Sequence, residues 1–232
     1  MNLLESLLFP KKCVGCKKFG IYFCADCIGN IKQEELICPV CEREAVGGQT
    51  HPLCRTRYSL DGLWSLGIYE GALRSAISKL KYRLVKDLSE ELVAIILEYW
   101  AVYQPFLLDK IKKDLGQGWV VVPVPLHSLR QNWRGFNQSA LIGQSLSKVL
   151  SLDYSDCLKR IRYTKPQVSL KSHQRRENIK GAFVLKNKAD IKKPPKVILI
   201  DDVWTTGSTM QECGAVLKKG GVKQVWALTL AR

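Results

Sequence analysis

The stretch "VILIDDVWTTGST", Val197 to Thr209, decides the reading of the fold. Four branched apolar residues, the mark of a strand buried on both faces, end abruptly in two adjacent carboxylates, Asp201 and Asp202. Val203 and Trp204 are able to pack. Thr205, Thr206, Gly207, Ser208 and Thr209 are small, and the segment that follows reads as a helix stopped by Gly220 and Gly221. The acid pair is therefore expected at the carboxyl end of a strand, where a helix begins. Backbone N–H groups at a helix start are unpaired and carry the positive end of its dipole. Gly207 lets the backbone approach closely, and the hydroxyls add donors, so the turn is shaped for a phosphate. Carboxylates beside it repel a phosphate but accept hydrogen bonds from sugar hydroxyls. A sugar diol with a phosphate describes a ribose 5-phosphate. No GxxxxGK[ST] loop occurs, and no GxGxxG follows a strand, so nucleotide motifs of those kinds are excluded. The competing account is an ordinary helix cap beside an unrelated acid pair.

Outward from this loop the pattern alternates. "LWSLGIYEG" reads as a strand, and "ALRSAISKLKYR" as a helix with Leu73, Ile77 and Leu80 on one face. "KDLSEELVAIILEYWAVY" reads as a longer helix, and "WVVVPVP" as a buried strand stopped by Pro123 and Pro125. "GFNQSALIGQSLSKVL" reads as a helix with Asn137 or Ser139 as cap, "GAFVL" as a strand, and "VKQVWALTLAR" as the last strand. Strands alternating with helices imply a parallel sheet covered on both faces, with ligands beyond the carboxyl ends of its strands.

The first part of the chain is different. Of the nine cysteines, seven lie between residues 13 and 54, in pairs with a constant two-residue gap: Cys13/Cys16, Cys24/Cys27, Cys38/Cys41, then His51/Cys54. Four knuckles supply eight ligands, enough for two closed tetrahedral zinc sites of structural kind. Disulfides and a redox CxxC compete with this reading, but a redox protein needs one such pair. The short gap between the first two knuckles favours sequential pairing, with Cys13, Cys16, Cys24 and Cys27 in one site and Cys38, Cys41, His51 and Cys54 in the other. Interleaved pairing is the alternative. Cys157 and Cys213 stand alone, as core residues do. The turn-rich "RTRYSLDG" marks a boundary, giving a small module over residues 1–58 and a larger domain over 59–232.

Charge is as unevenly spread as cysteine. The chain of 232 residues has a formal charge of +15, and residues 159–196 alone hold 13 Lys and Arg against two acidic residues. A basic segment this dense fits an anionic partner, whether phosphorylated metabolite, pyrophosphate or nucleic acid, or else a solvated lysine-rich loop. No apolar run approaches the ~18 residues of a membrane span. The opening "MNLLESLLFP" lacks the basic start of a signal peptide, and its leucines fit a short docking helix. A cytoplasmic protein with reduced thiols is expected.

The knuckles, "IYEGALRSAISKLKY", "VPVPLHSLRQNWRGFNQS", "RYTKPQVSLKSHQRRENIKGAF" and the DDVWTTGST loop together resemble the ComF/GntX family: a double zinc ribbon followed by a type I phosphoribosyltransferase-like α/β domain, its parallel sheet flanked by helices. His51 departs from the family's usual cysteine, and Trp204 from a smaller aliphatic residue. The resemblance implies 5-phosphoribosyl 1-pyrophosphate (PRPP) as ligand. Asp201 and Asp202 would hold the ribose, and Thr205, Thr206, Gly207, Ser208 and Thr209 the 5-phosphate. The loop at Pro123 and Val124, with Arg130 and Arg134, would take pyrophosphate. Gln167, Arg175, Arg176 and Asn178 would belong to a loop closing over PRPP. Lys81 and Tyr82 also match the family, without an assigned role. Mg²⁺ would accompany PRPP, and the cysteine-rich sites would hold two Zn²⁺. Two functions follow from the resemblance: transfer of phosphoribose to an unnamed acceptor, or PRPP-dependent binding of single-stranded nucleic acid without catalysis. The family's tie to competence adds proteins of a DNA-uptake system as partners. His127 and His173 are expected in loops rather than as catalysts. With Arg232 directly after the last strand, no C-terminal hood for an acceptor is expected.

Overall fold

Lys196–Val203, the strand that carries the acid pair, lies in the middle of a five-stranded sheet in which every pairing is parallel. The computed structural model describes residues 11–80, 86–114, 118–162, 177–187 and 196–232. The proposed docking helix in residues 1–10, with Lys81, Tyr82, Gln167, His173, Arg175 and Arg176, falls outside them. In chain order the sheet comprises β1 (Gly62–Gly67), β2 (Trp119–Pro123), β3 (Asp153–Tyr154), β6 (Lys196–Val203) and β7 (Gln224–Ala231), and in space the order is β1-β7-β6-β2-β3. Strands β4 (Leu158–Arg160) and β5 (Phe183–Leu185) form a separate antiparallel pair. The "GAFVL" segment is thus a strand, but outside the main sheet. There Phe183 and Leu158 help cover an apolar face that would otherwise meet water.

Strand residues alternate between two cores, as a period of two requires. Val121, Ile198, Ile200, Trp226 and Leu228 face helices α2 (Gly71–Lys79), α3 (Lys86–Tyr103) and α6 (Gln138–Leu150), against Ile77, Leu92 and Ile142. Val122, Leu199, Val225 and Ala227 face α7 (Ser208–Lys219), against Cys213 and Leu217. Each large apolar side chain buried this way contributes about 1.5–3 kcal/mol. The expected helix faces hold: Leu73, Ile77 and Leu80 are all buried. Cys157 and Cys213 are core residues, as expected. Two short helices were not legible beforehand, α4 (Phe106–Lys113) and α5 (Ser128–Arg134). Each spans about two turns, too few for a periodic signal. Among the described residues no single helix is long and apolar enough to cross a membrane.

The cysteine-rich segment, with its short helix α1 (Ala25–Gly29), packs on the carboxyl end of β1 and on α3. Val14, Phe23 and Ile31 join the same core as Trp64 and Leu73. The Phe23 N–H donates to the Glu91 carboxylate at 3.1 Å, and the Tyr99 hydroxyl donates to the Ile28 carbonyl at 3.1 Å. The Ile68 N–H donates to the Lys32 carbonyl at 2.9 Å. Gly67 permits this approach. A Cβ there would stand 2.6 Å from Ile31 Cγ2 and 2.8 Å from the Lys32 carbonyl oxygen. Gly67→Ala should therefore loosen the module from β1. Hydrogen exchange should quicken in residues 11–35 while Val197–Ile200 keep their protection; equal exchange in both regions would contradict this docking.

Candidate functional site

The acid pair lines a cleft of about 500 Å³ whose wall draws on the carboxyl ends of three strands of the sheet and the start of two helices. Asp201, Asp202 and Val203 end β6, and Thr205, Gly207, Ser208 and Thr209 form the turn into α7. Val124, Pro125 and Leu126 follow β2, and Tyr69 follows β1. Arg134 and Gln138 come from the α5–α6 corner, and Arg160 from β4.

Two carboxylates at a strand end repel each other, so donors must hold them. The first turn of α6 provides these. Ser139 Oγ donates to Asp201 Oδ1 at 3.0 Å, and Gln138 Nε2 donates to Asp202 Oδ2 at 3.1 Å. Arg134 Nη1 donates in turn to Gln138 Oε1 at 3.2 Å. The helix is aimed by its cap, Asn137, whose Oδ1 accepts from the Ser139 N–H at 3.1 Å while Nδ2 donates to the Val124 carbonyl at 2.9 Å. Val124 itself donates to the Ile200 carbonyl, one residue before the acids. Burial, and next the neighbouring Asp202 carboxylate, push Asp201 up to about 7. The Asp202 N–H, the Ser139 hydroxyl and the Arg160 guanidinium act the other way.

The turn into α7 is built on an indole. Trp204 is only 2% exposed, and its N–H main-chain group donates to the Ala231 carbonyl at 2.8 Å. Gly207 caps α7 in the left-handed region, φ 62°, and a Cβ there would fall 2.1 Å from Trp204 Cζ2. The bulky residue is therefore the floor beneath the turn. Thr206 and Ser208 share a hydrogen bond of 2.8 Å between their hydroxyls. Ser208 and Thr209 open α7 and line the cleft, so the positive end of the helix dipole lies beside it.

Most of the expected residues meet at this cleft, and some do not. Asp201, Asp202, Thr205, Gly207, Ser208, Thr209, Val124 and Arg134 line it. Pro123 is paired with Ile200 inside the sheet, behind the wall. Thr206 and Asn178 are not among the lining residues, and the Asn178 main-chain carbonyl accepts from Arg162 at 3.1 Å. Arg130 shares α5 with Arg134, so the two lie one turn apart on a helix. His127 caps that helix, its Nδ1 accepting from the Leu129 N–H at 3.3 Å. Gln138, Ser139 and Tyr69 were not assigned to the site from sequence, and Arg160 was read only as the start of the basic segment expected to close over PRPP. For Arg160 a signal existed: it is two residues after Leu158, which puts both on the inward side of a strand, and its guanidinium lies 5.3 Å from the Phe183 ring centroid.

A second constellation lies in the cysteine-rich module. Cys13, Cys16, Cys24 and Cys27 form one group, and Cys38, Cys41, His51 and Cys54 another; within each, all ligand atoms lie within 4.8 Å of one another. Sequential pairing is thus the one the structure adopts. Cys13 and Cys24 sulfurs are 3.7 Å apart, Cys16 and Cys24 sulfurs 3.5 Å. Zinc–sulfur bonds of ~2.3 Å give a tetrahedral edge of about 3.8 Å, so the donor sets fit such an ion. His51 turns Nδ1 toward Cys41 at 3.3 Å, and its Nε2 meets the Glu44 carbonyl at 2.9 Å, which fixes the ring.

Comparison with known proteins places this geometry in context. The phosphoribosyl transferase domain family matches residues 137–232. Competence protein F of Haemophilus influenzae is 30% identical over 224 residues, 94% of this chain and 90% of that one. DNA utilization protein YhgH of Salmonella typhi is 30% identical over 211 residues, 88% of each chain. Competence protein ComFC of Streptococcus pneumoniae is 30% identical over 131 residues, 56% of this chain and 55% of that one.

The raised Asp201 sets a pH dependence. A carboxyl with a folded pKa near 7 against an ordinary 3.8 stabilises the fold fully below about pH 4, and that contribution is lost as pH rises through about 7. The slope is at most about 1.4 kcal/mol per pH unit. Unliganded protein should melt at a lower temperature at pH 8 than at pH 5.5. Asp201→Asn should flatten that difference, and an unchanged pH profile in the variant would refute the assignment.

Proposed function

The chain belongs to the ComF family of phosphoribosyltransferase-like proteins, and on that premise we propose that its cleft binds PRPP and presents the ribose C1 carbon for transfer. One observation carries the reading: the two carboxylates held by Gln138 and Ser139 stand beside the glycine and hydroxyl turn that opens α7. Asp201 and Asp202 accept hydrogen bonds from the ribose hydroxyls. The amides of the 205–209 turn, with its hydroxyls, hold the 5-phosphate. The Val124–Leu126 loop and Arg134 face the pyrophosphate, and Arg130, Gln167, Arg175, Arg176 and Asn178 belong to the segments that close around it. Mg²⁺, when bound with PRPP, supplies neutralisation of the pyrophosphate charge. The chain's own residues bind and orient, which is most of what an oxocarbenium-like transfer requires.

The cysteine-rich groups hold Zn²⁺ in this reading and serve as the fold of a module over residues 1–58, set against a domain over 59–232. The names of the relatives, Competence protein F and DNA utilization protein YhgH, support a role in DNA uptake or use. Single-stranded DNA and proteins of an uptake system are accordingly its proposed macromolecular partners, in the cytoplasm. Lys159, Arg162, Lys180 and Lys186, exposed on and beside the β4–β5 hairpin, are the described part of the basic segment that such a strand would meet.

Asp201→Asn combined with Asp202→Asn removes charge-assisted acceptors worth roughly 1.5–3 kcal/mol each, so PRPP affinity should fall at least ten- to hundredfold by titration calorimetry with Mg²⁺ present. Unaltered affinity would remove the ribose assignment. Metal analysis of protein purified without chelator should find close to two zinc equivalents per chain. Cys16→Ser should lower that to about one and unfold the small module more than it weakens PRPP binding, because ligand loss removes folding free energy locally.

A further inference from the structure

We propose that a second cavity, at the β3 edge of the sheet, is a nucleotide site: a base lies against Phe136 and Tyr154, and its phosphate meets Lys159 and Lys186. The cavity holds about 680 Å³, and neither the acid pair nor the glycine turn lines it. It adjoins the PRPP cleft across Pro125, Leu126 and Arg160, which line both. The nucleotide is either free or one unit of a single strand, since both present the same base and phosphate. Only the strand-borne form rests on the DNA reading above, and neither form rests on PRPP.

The lining is largely apolar. Leu126, Leu141 and Leu158 contribute to it, with Phe136 from the α5–α6 corner and Tyr154 from the end of β3. Both rings are half-buried, and a half-buried ring is a surface on which any nucleobase stacks. The Tyr154 ring packs toward Gly143, where a Cβ would stand 3.3 Å from its Cε2. Ser155, the next residue, donates its N–H to the Val121 carbonyl at 3.0 Å, which fixes the end of β3. Burial, and next the Asp156 carboxylate, push the Tyr154 hydroxyl up to about 12, so it stays a donor at neutral pH. Gln131 and Gln144 line the same cavity, and each side-chain amide offers a donor and an acceptor to a base edge.

The charge is placed for a phosphate. Three cations, Lys159, Arg160 and Lys186, line the cavity against one carboxylate, Asp156, which Lys186 pairs at 2.6 Å. Strand pairing brings the two lysines together. Lys159 is in register with Val184, and Lys186 lies two residues beyond Val184, on the same face. That face also carries exposed apolar surface at Val184 and Ile161, and Arg162 and Lys180 are exposed farther along the hairpin. A bare pyrophosphate would leave the two rings unused, and an apolar ligand would leave the lysines unused. A base with its phosphate uses both.

The test uses the full chain at low salt with thymidine and adenosine 5′-monophosphates and a labelled single-stranded oligothymidylate. Saturation-transfer NMR reads the monophosphates, fluorescence anisotropy the oligonucleotide, and calorimetry with Mg²⁺ the binding of PRPP. At least one probe should bind. Phe136→Ala should weaken that binding about tenfold. Lys159→Ala, a change of an exposed side chain, should weaken it about threefold or more and shallow the oligonucleotide's salt slope by about one. PRPP affinity should stay within about threefold in both variants. With 5-iodouracil in place of thymine, light should cross-link the bound probe to peptides that hold Phe136 or Tyr154. Tighter binding of the oligonucleotide identifies a strand as the occupant, and equal or tighter binding of a monophosphate identifies a free nucleotide. Binding of no probe, wild-type affinity in both variants, cross-links only outside the cavity, or displacement of PRPP by the probe would each overturn the site. Wild type that fails to bind PRPP would remove the cleft reading and leave this site standing.

Discussion

Two like charges at the end of a buried strand constrain everything around them. Asp201 and Asp202 continue a run of apolar residues into the cleft, and neither repulsion nor desolvation favours them there. The donors that hold them come from the first turn of α6, so that helix must begin opposite the end of β6. Asn137 makes it do so, by capping α6 and gripping the Val124 carbonyl in the same side chain. The loop after β2, the corner before α6 and the end of β6 are thereby one hydrogen-bonded unit.

The phosphate turn is linked to the cysteine-rich module. Trp204 supports Gly207 from below, and α7 begins at Gly207. On the first turn of that helix Gln211 Nε2 donates to the Pro39 carbonyl at 2.7 Å, and Pro39 lies between two ligands of the second cysteine group. On the opposite flank Arg232 reaches Glu34 and Glu35. The module thus touches both α7, which opens at Gly207, and the residue that follows β7. Its packing on the Trp64 and Leu73 core makes it part of the body of the protein.

The cleft is asymmetric in chemistry as well as shape. Toward β2 it offers Arg134 and the Val124–Leu126 loop; toward β1 it offers the Tyr69 ring. Arg160 closes the basic side from β4, at the root of the segment richest in Lys and Arg.

The sequence by itself determined the strands β1, β2, β6 and β7 of the sheet, the longer covering helices, the acid pair with its turn, and the four knuckles. These are local signals: a buried strand reads as an apolar run, a helix as a period, a ligand pair as a gap of two. The α6 cap was legible for the same reason, since Asn137 acts on the residues immediately after it. Tertiary structure decided the rest. Gln138 and Ser139 are two polar residues at a helix start until β6 is brought within 3.1 Å of them. Tyr69 and Asp201 are 132 positions apart, and only the order β1-β7-β6 sets them in one wall. Trp204 read as a bulky intruder in the site, yet it is the floor that makes Gly207 obligatory, because its ring fills the space a Cβ would need. The spacing of the knuckles favoured sequential grouping over the interleaved alternative, and the packing of the hairpins adopts it, since spacing fixes which ligands form a pair and packing fixes which pairs meet.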